Sequence, residues 1–142
     1  MEKVYSIEER VVLIVEEFLD NVKEKEPFVY YLEDYRFRLR AKLVELLATP
    51  AFDSALEGVL KCIEARINKL DLENEKELRR VLEAVEKTNE LLKEFLEGDK
   101  VKDKSVLSKV SGRLGTIAEE LRLEVNRRFG GLFNRIKKLF GR

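Results

Sequence analysis

The chain has 142 residues, 44% hydrophobic and 39% charged, with seven glycines, two prolines, no histidine or tryptophan, and formal charges that cancel. That length fits one domain with one core, and a Glu/Lys/Arg-rich, Pro-poor composition marks a charge-decorated helical protein, not a disordered or β-rich one, and suits a heat-loving source. Without histidine the commonest general base, the Cys–His and Ser–His pairings and the usual zinc and di-iron ligands are excluded.

Ser6 and Glu9 form a capping box that starts a first helix. Val11, Val12, Ile14, Val15, Phe18, Leu19 and Val22 give it a wide apolar face, and Pro27 ends the segment. A second helix is predicted from about Phe28 to Ala48, with Tyr31, Leu32, Tyr35, Leu39, Leu43 and Leu46 on one side. Its stretch Tyr35-Arg36-Phe37-Arg38-Leu39-Arg40 alternates like a strand, but the flanking helical period is longer and no hairpin turn accompanies it. Thr49-Pro50 reads as a helix start, threonine as cap and proline in the first turn, followed by the clearest period in the chain, Phe52, Leu56, Val59, Leu60, Ile63, Ile67 and Leu70.

Asn74 with Glu77 caps a fourth helix, carrying Leu78, Val81, Leu82, Val85, Leu92, Phe95 and Leu96 until Gly98 stops it. Asp99 to Lys104 is a charged loop, and a fifth helix begins near Ser105. Gly112 and Gly115 weaken its middle, so a kink is expected, with Thr116 and Glu119 capping a restart. Gly130-Gly131 reads as a hinge. The prediction is an all-α protein: a four- to five-helix up-and-down bundle over residues 1–129, and a C-terminal basic amphipathic helix over 130–142.

Chemistry is thinly signposted. No glycine-rich phosphate loop of either standard spacing occurs. Cys62 has no partner for an intrachain disulfide, which points to a reducing cytoplasm, and its apolar neighbours point to an inert thiol. No apolar run reaches the roughly 18–20 residues of a membrane-spanning helix, and the acidic N-terminus lacks a secretory charge pattern. Glu83/Glu86, Glu94/Glu97 and Glu17/Asp20 are spaced by three, so each pair shares a helix side. All-helical nucleotide pyrophosphatases hold magnesium with pairs of this spacing, but rows of acids on a charge-rich helix are ordinarily a solvated face. Arg36, Arg38 and Arg40, interleaved with Tyr35 and Phe37, are candidates to meet phosphates while rings stack on bases. Helical geometry turns Arg36 and Arg38 roughly 200° apart, which works against one patch. The expectation is therefore no cofactor, no metal and no enzyme.

The C-terminal segment is the most informative. Residues 1–99 carry eight more acids than bases and residues 100–142 eight more bases than acids. The last sixteen residues, RRFGGLFNRIKKLFGR, hold six cations and no acid. Phe129, Leu132, Phe133, Ile136, Leu139 and Phe140 fall on one helical stripe, with Arg135, Lys137, Lys138 and Arg142 mostly on the other side. A basic amphipathic helix seeks an anionic, partly apolar surface.

GLFNRIKKLFGR, Gly131 to Arg142, resembles the short terminal targeting helices of cell-division ATPases of the MinD type and of SepF-like proteins. The resemblance covers twelve residues and implies attachment to the inner face of a membrane. Each cation near an anionic leaflet contributes up to about 1 kcal/mol, and each inserted Leu, Ile or Phe about 1–2 kcal/mol. A segment this short costs free energy to order, so stable attachment calls for two or more copies on one homo-oligomer. Other readings are open. The segment is the last bundle helix, or a peptide for a partner protein: Ile136, Leu139 and Phe140 resemble the apolar spacing of sliding-clamp-binding peptides, with Phe133 where those carry glutamine. The leading expectation is a non-enzymatic adaptor or scaffold that docks on a membrane surface or a protein. A nucleic-acid-associated or virion structural protein comes next, and a metal-dependent carboxylate enzyme last.

Overall fold

The structure is a computed structural model and describes residues 4–130. Among them are five helices and no strand: α1 (Ile7–Asp20), α2 (Phe28–Leu46), α3 (Ala51–Asn68), α4 (Glu75–Glu97) and α5 (Ser105–Phe129). The strand-like stretch of Tyr35 to Arg40 lies inside α2, where Tyr35 and Leu39 point to the core four residues apart.

Helix directions follow from the polar contacts between them. Glu8 meets Ser54 near the starts of α1 and α3, and Asp20 meets Arg66 near their ends, so these two run parallel. Lys87–Glu33 and Arg36–Glu94 make α2 and α4 parallel, while Ser111–Asn89 and Arg122–Glu86 make α4 and α5 antiparallel. Consecutive helices are not all neighbours. Helix α3 lies between α1 and α5, and the connection through Asp71–Asn74 carries the chain to α4, which packs on α5 and α2.

The capping box of Ser6 and Glu9 forms as read: the Glu9 amide donates to Ser6 Oγ at 3.1 Å, and the Ser6 amide to Glu9 Oε1 at 2.9 Å. Asn74 also caps, taking the Glu77 amide at 3.0 Å. Two expected caps fail. Thr49 does not cap α3 through its side chain; its hydroxyl turns back to donate to Leu46 O at 2.7 Å, closing the end of α2. That turn holds Ala48 at φ 66°, a left-handed position where glycine is the usual residue, so an alanine there carries no turn signal. Helix α5 is continuous through Gly112 and Gly115, and Thr116 donates to Gly112 O at 3.2 Å instead of capping a restart. Burial of Val110, Leu114, Ile117 and Leu121 on one side outweighs the helix propensity lost at two glycines, about 1 kcal/mol each.

One core runs through all five helices, with Tyr35, Leu39, Leu43, Leu56, Leu78, Leu92, Leu107 and Leu114 fully enclosed. Gly58 lets α1 pack tightly on α3: a Cβ there would stand 2.7 Å from Val12 Cγ2. Among the described residues Glu77, Thr88, Asn89 and Ser111 are the buried polar ones besides Tyr35, and the last three are paired within hydrogen-bond distance: Thr88 Oγ1 with Tyr35 Oη, and Ser111 Oγ with Asn89 Oδ1, both at 2.6 Å. The fourth, Glu77, faces Arg66 at 3.4 Å and Lys23 at 3.7 Å, tying α4 to α3 and to the α1–α2 connection.

Candidate functional site

Helix α5 delivers the C-terminal segment. Its last turn carries Arg127 and Arg128, cations suited to the negative end of a helix dipole, and the Gly130 amide closes it by donating to Asn126 O at 3.0 Å. Glu124 accepts from Arg127 and Arg128 at 2.8 Å, and Arg128 reaches Glu73 at 2.6 Å in the α3–α4 connection. The Arg128 and Arg127 guanidiniums hold the Glu124 carboxyl below its ordinary range, and Glu124 in turn pushes the Arg128 pKa up. Phe129 is half-buried and packs against the core, so this member of the proposed stripe belongs to the body's own packing. Leu132, Phe133, Arg135, Ile136, Lys137, Lys138, Leu139, Phe140 and Arg142 lie outside the described residues.

The α2 arginines are each engaged within the fold. Arg40 Nε donates to Glu94 Oε1 at 2.8 Å, Arg36 bonds the other oxygen of the same carboxylate, and Arg38 sits 3.3 Å from Asp34. One acid of α4 therefore gathers two of the three candidate phosphate contacts. The Arg40 guanidinium first, then Arg36, hold Glu94 below the usual carboxylate range. Its contribution to stability is thus full above the unfolded value near 4.5 and is lost as pH falls through the lower folded value. Glu94→Gln is expected to be less stable than the wild type at pH 6, with the gap closing toward pH 2.5 in melts monitored by circular dichroism. With 41% of the Glu94 side chain exposed, screening keeps that gap below about 1 kcal/mol. A gap that grows on acidification would show that the pairing does not favour the folded state.

Two further acids of the spaced pairs are also engaged. Glu86 bonds Arg122, and Asp20 faces Arg66 at 3.3 Å. Among the described residues, no three His, Cys, Asp or Glu side chains gather where a metal ion could be held. Cys62 lines a shallow depression with Glu16, Asp20 and Arg66; burial, then the Glu16 and Asp20 carboxylates, push its thiol up to about 11, so little nucleophilic thiolate forms at neutral pH. Among the described residues, no helix is long and apolar enough to cross a membrane.

No protein-family model, curated protein or solved structure matches this chain.

Two features escaped the sequence reading. Arg80 clamps the α1–α2 connection by donating to Val22 O at 2.7 Å and Lys25 O at 2.9 Å, and nothing in a lone arginine beside Arg79 signals that role. The second is an outward apolar stripe on α2. Tyr30, Phe37 and Val44 are 62%, 72% and 39% exposed. Their steps of seven were legible, but the inward face of the same helix supplied a stronger period that absorbed attention.

Proposed function

We propose that this protein is a non-catalytic helical adaptor whose five-helix body carries the basic amphipathic segment 130–142 to an anionic membrane surface. The feature that supports this most lies in the sequence: residues 127–142 hold six cations and no acid, with Leu132, Phe133, Ile136, Leu139 and Phe140 at helical spacing. On a helix these apolar residues fall on one side with the cations mostly opposite, a pattern whose strongest free-energy gain is at an anionic interface. The charge division agrees: acids concentrate in residues 1–99, bases in residues 100–142, and Arg127, 66% exposed, extends the cationic side into α5. One copy binds weakly and reversibly, so an assembly of two or more chains holds the surface more firmly.

Flotation with vesicles containing about one-third anionic lipid tests this, comparing the intact chain with one ending at Gly130. The intact chain is expected to float at low salt and to be released as salt rises, and the shortened chain to stay at the bottom while melting at the same temperature. Flotation of both chains alike, or of neither, would remove the proposal.

A further inference from the structure

The outward face of α2 points to a second copy of this chain as its occupant: we propose that two protomers pair antiparallel along α2, with the two-fold axis at Phe37. The inference stands apart from membrane docking, and its test uses no lipid. On a helix turning about 100° per residue, Tyr30, Phe37 and Val44 share one line, and each is exposed in the monomer. Beside that line lie Glu33 and Asp34 one turn before Phe37, and Arg38 and Arg40 at or within one turn after it. Acids thus precede the midpoint and bases follow it.

This order selects the direction of pairing. Antiparallel contact about Phe37 sets Tyr30 of one copy on Val44 of the other, and Glu33 opposite the other copy's Arg40, twice by symmetry. Parallel contact sets Glu33 beside Asp34 and Arg38 beside Arg40, like charge against like. Within the protomer Glu33 bonds Lys87 and Arg40 bonds Glu94, yet Glu33 and Arg40 remain 60% and 49% exposed and free to be shared. The rim charges therefore set direction and the three apolar side chains supply attraction. A single helix face about 28 Å long is smaller than a standard interface, so the dimer dissociates in the micromolar range.

Sedimentation equilibrium of the full chain between about 1 and 300 µM is expected to show a monomer–dimer equilibrium. Phe37→Glu is expected to weaken it at least about tenfold. Because Phe37 is exposed, that variant should keep its helix content and melting temperature. Glu33→Lys and Arg40→Glu should each weaken the dimer, and the two together in one chain should restore it. Under oxidation, Phe37→Cys in a Cys62→Ser background is expected to cross-link through the dyad, and Val44→Cys is not. A chain that stays monomeric to 300 µM, a Phe37→Glu protein that dimerises as well as the wild type, a charge exchange that restores nothing, or cross-linking at position 44 as fast as at 37 each overturns the inference.

Discussion

Tyr35→Ala is expected to lower the unfolding free energy by about 3–5 kcal/mol, a large part of the roughly 5–15 kcal/mol a domain of this kind holds. Tyr35 is the largest fully enclosed side chain, stacked on Phe18 at 4.4 Å and reaching from α2 to Thr88 of α4, so its removal opens a cavity where three helices meet. The direction of its hydrogen bond is fixed by counting protons. Thr88 has one hydroxyl hydrogen and donates it to Ala84 O at 2.7 Å, so Tyr35 donates to Thr88. Tyr35→Phe therefore removes a donor and leaves an oxygen still bonded to Ala84, at about 0.5–1.5 kcal/mol. Thr88→Val leaves the buried tyrosine hydroxyl with no acceptor and is expected to cost more, about 1–3 kcal/mol. Urea titration of the double variant should recover part of the Thr88→Val loss, since no stranded donor remains. Additive losses would mean that the two hydroxyls do not act as a pair. Burial also raises the Tyr35 pKa above the ordinary phenol range, in keeping with a neutral donor.

The same residue shows why so much of the fold was legible in the sequence. Tyr35 sits in an alternating stretch that local pattern alone reads as strand, and the longer 3.6-residue period from Phe28 to Leu46 decides for helix because burial of one side rewards it. Caps that use side chains facing their own first turn, Ser6 and Asn74, were readable for the same local reason. What could not be read depends on a choice that local pattern leaves open or on partners distant in sequence. The Thr49 hydroxyl had two local options and took the carbonyl behind it. The glycines of α5 were tolerated because α3 and α4 pack against this helix and bury Val110, Leu114, Ile117 and Leu121. The α2 arginines could be placed on their helix but not on Glu94, which lies more than fifty residues away and bonds two of them. Sequence located the candidate C-terminal segment by composition; the α2 stripe emerged only when the neighbouring helices were seen to leave it uncovered.

Arg80→Met is expected to cost about 2–4 kcal/mol and to loosen the α1–α2 connection before the rest of the body. The guanidinium is 13% exposed, donates to Val22 O, Lys25 O and Glu26 Oε1, the last at 2.6 Å, and lies 4.5 Å from the centre of the Phe28 ring. Arg80, with help from Lys76, holds the Glu26 carboxyl below its ordinary range, so the clamp keeps its charge partner at neutral pH. Methionine fills comparable space but strands the two carbonyls that Nη1 serves and leaves Glu26 without Nη2, and only a planar fork holds both sets from one side chain. Lysine restores the charge and not the fork, so Arg80→Lys should recover less than half of the loss. Hydrogen exchange read residue by residue separates this from a general weakening: amides of 21–29 should exchange faster in Arg80→Met while those of α4 and α5 follow only the global loss. Uniform acceleration would place the arginine's effect in the core and not in the connection. Since the clamp fixes where α2 begins, it also fixes the register of Tyr30, Phe37 and Val44. A loosened connection should therefore weaken pairing between chains even though Arg80 touches none of the three.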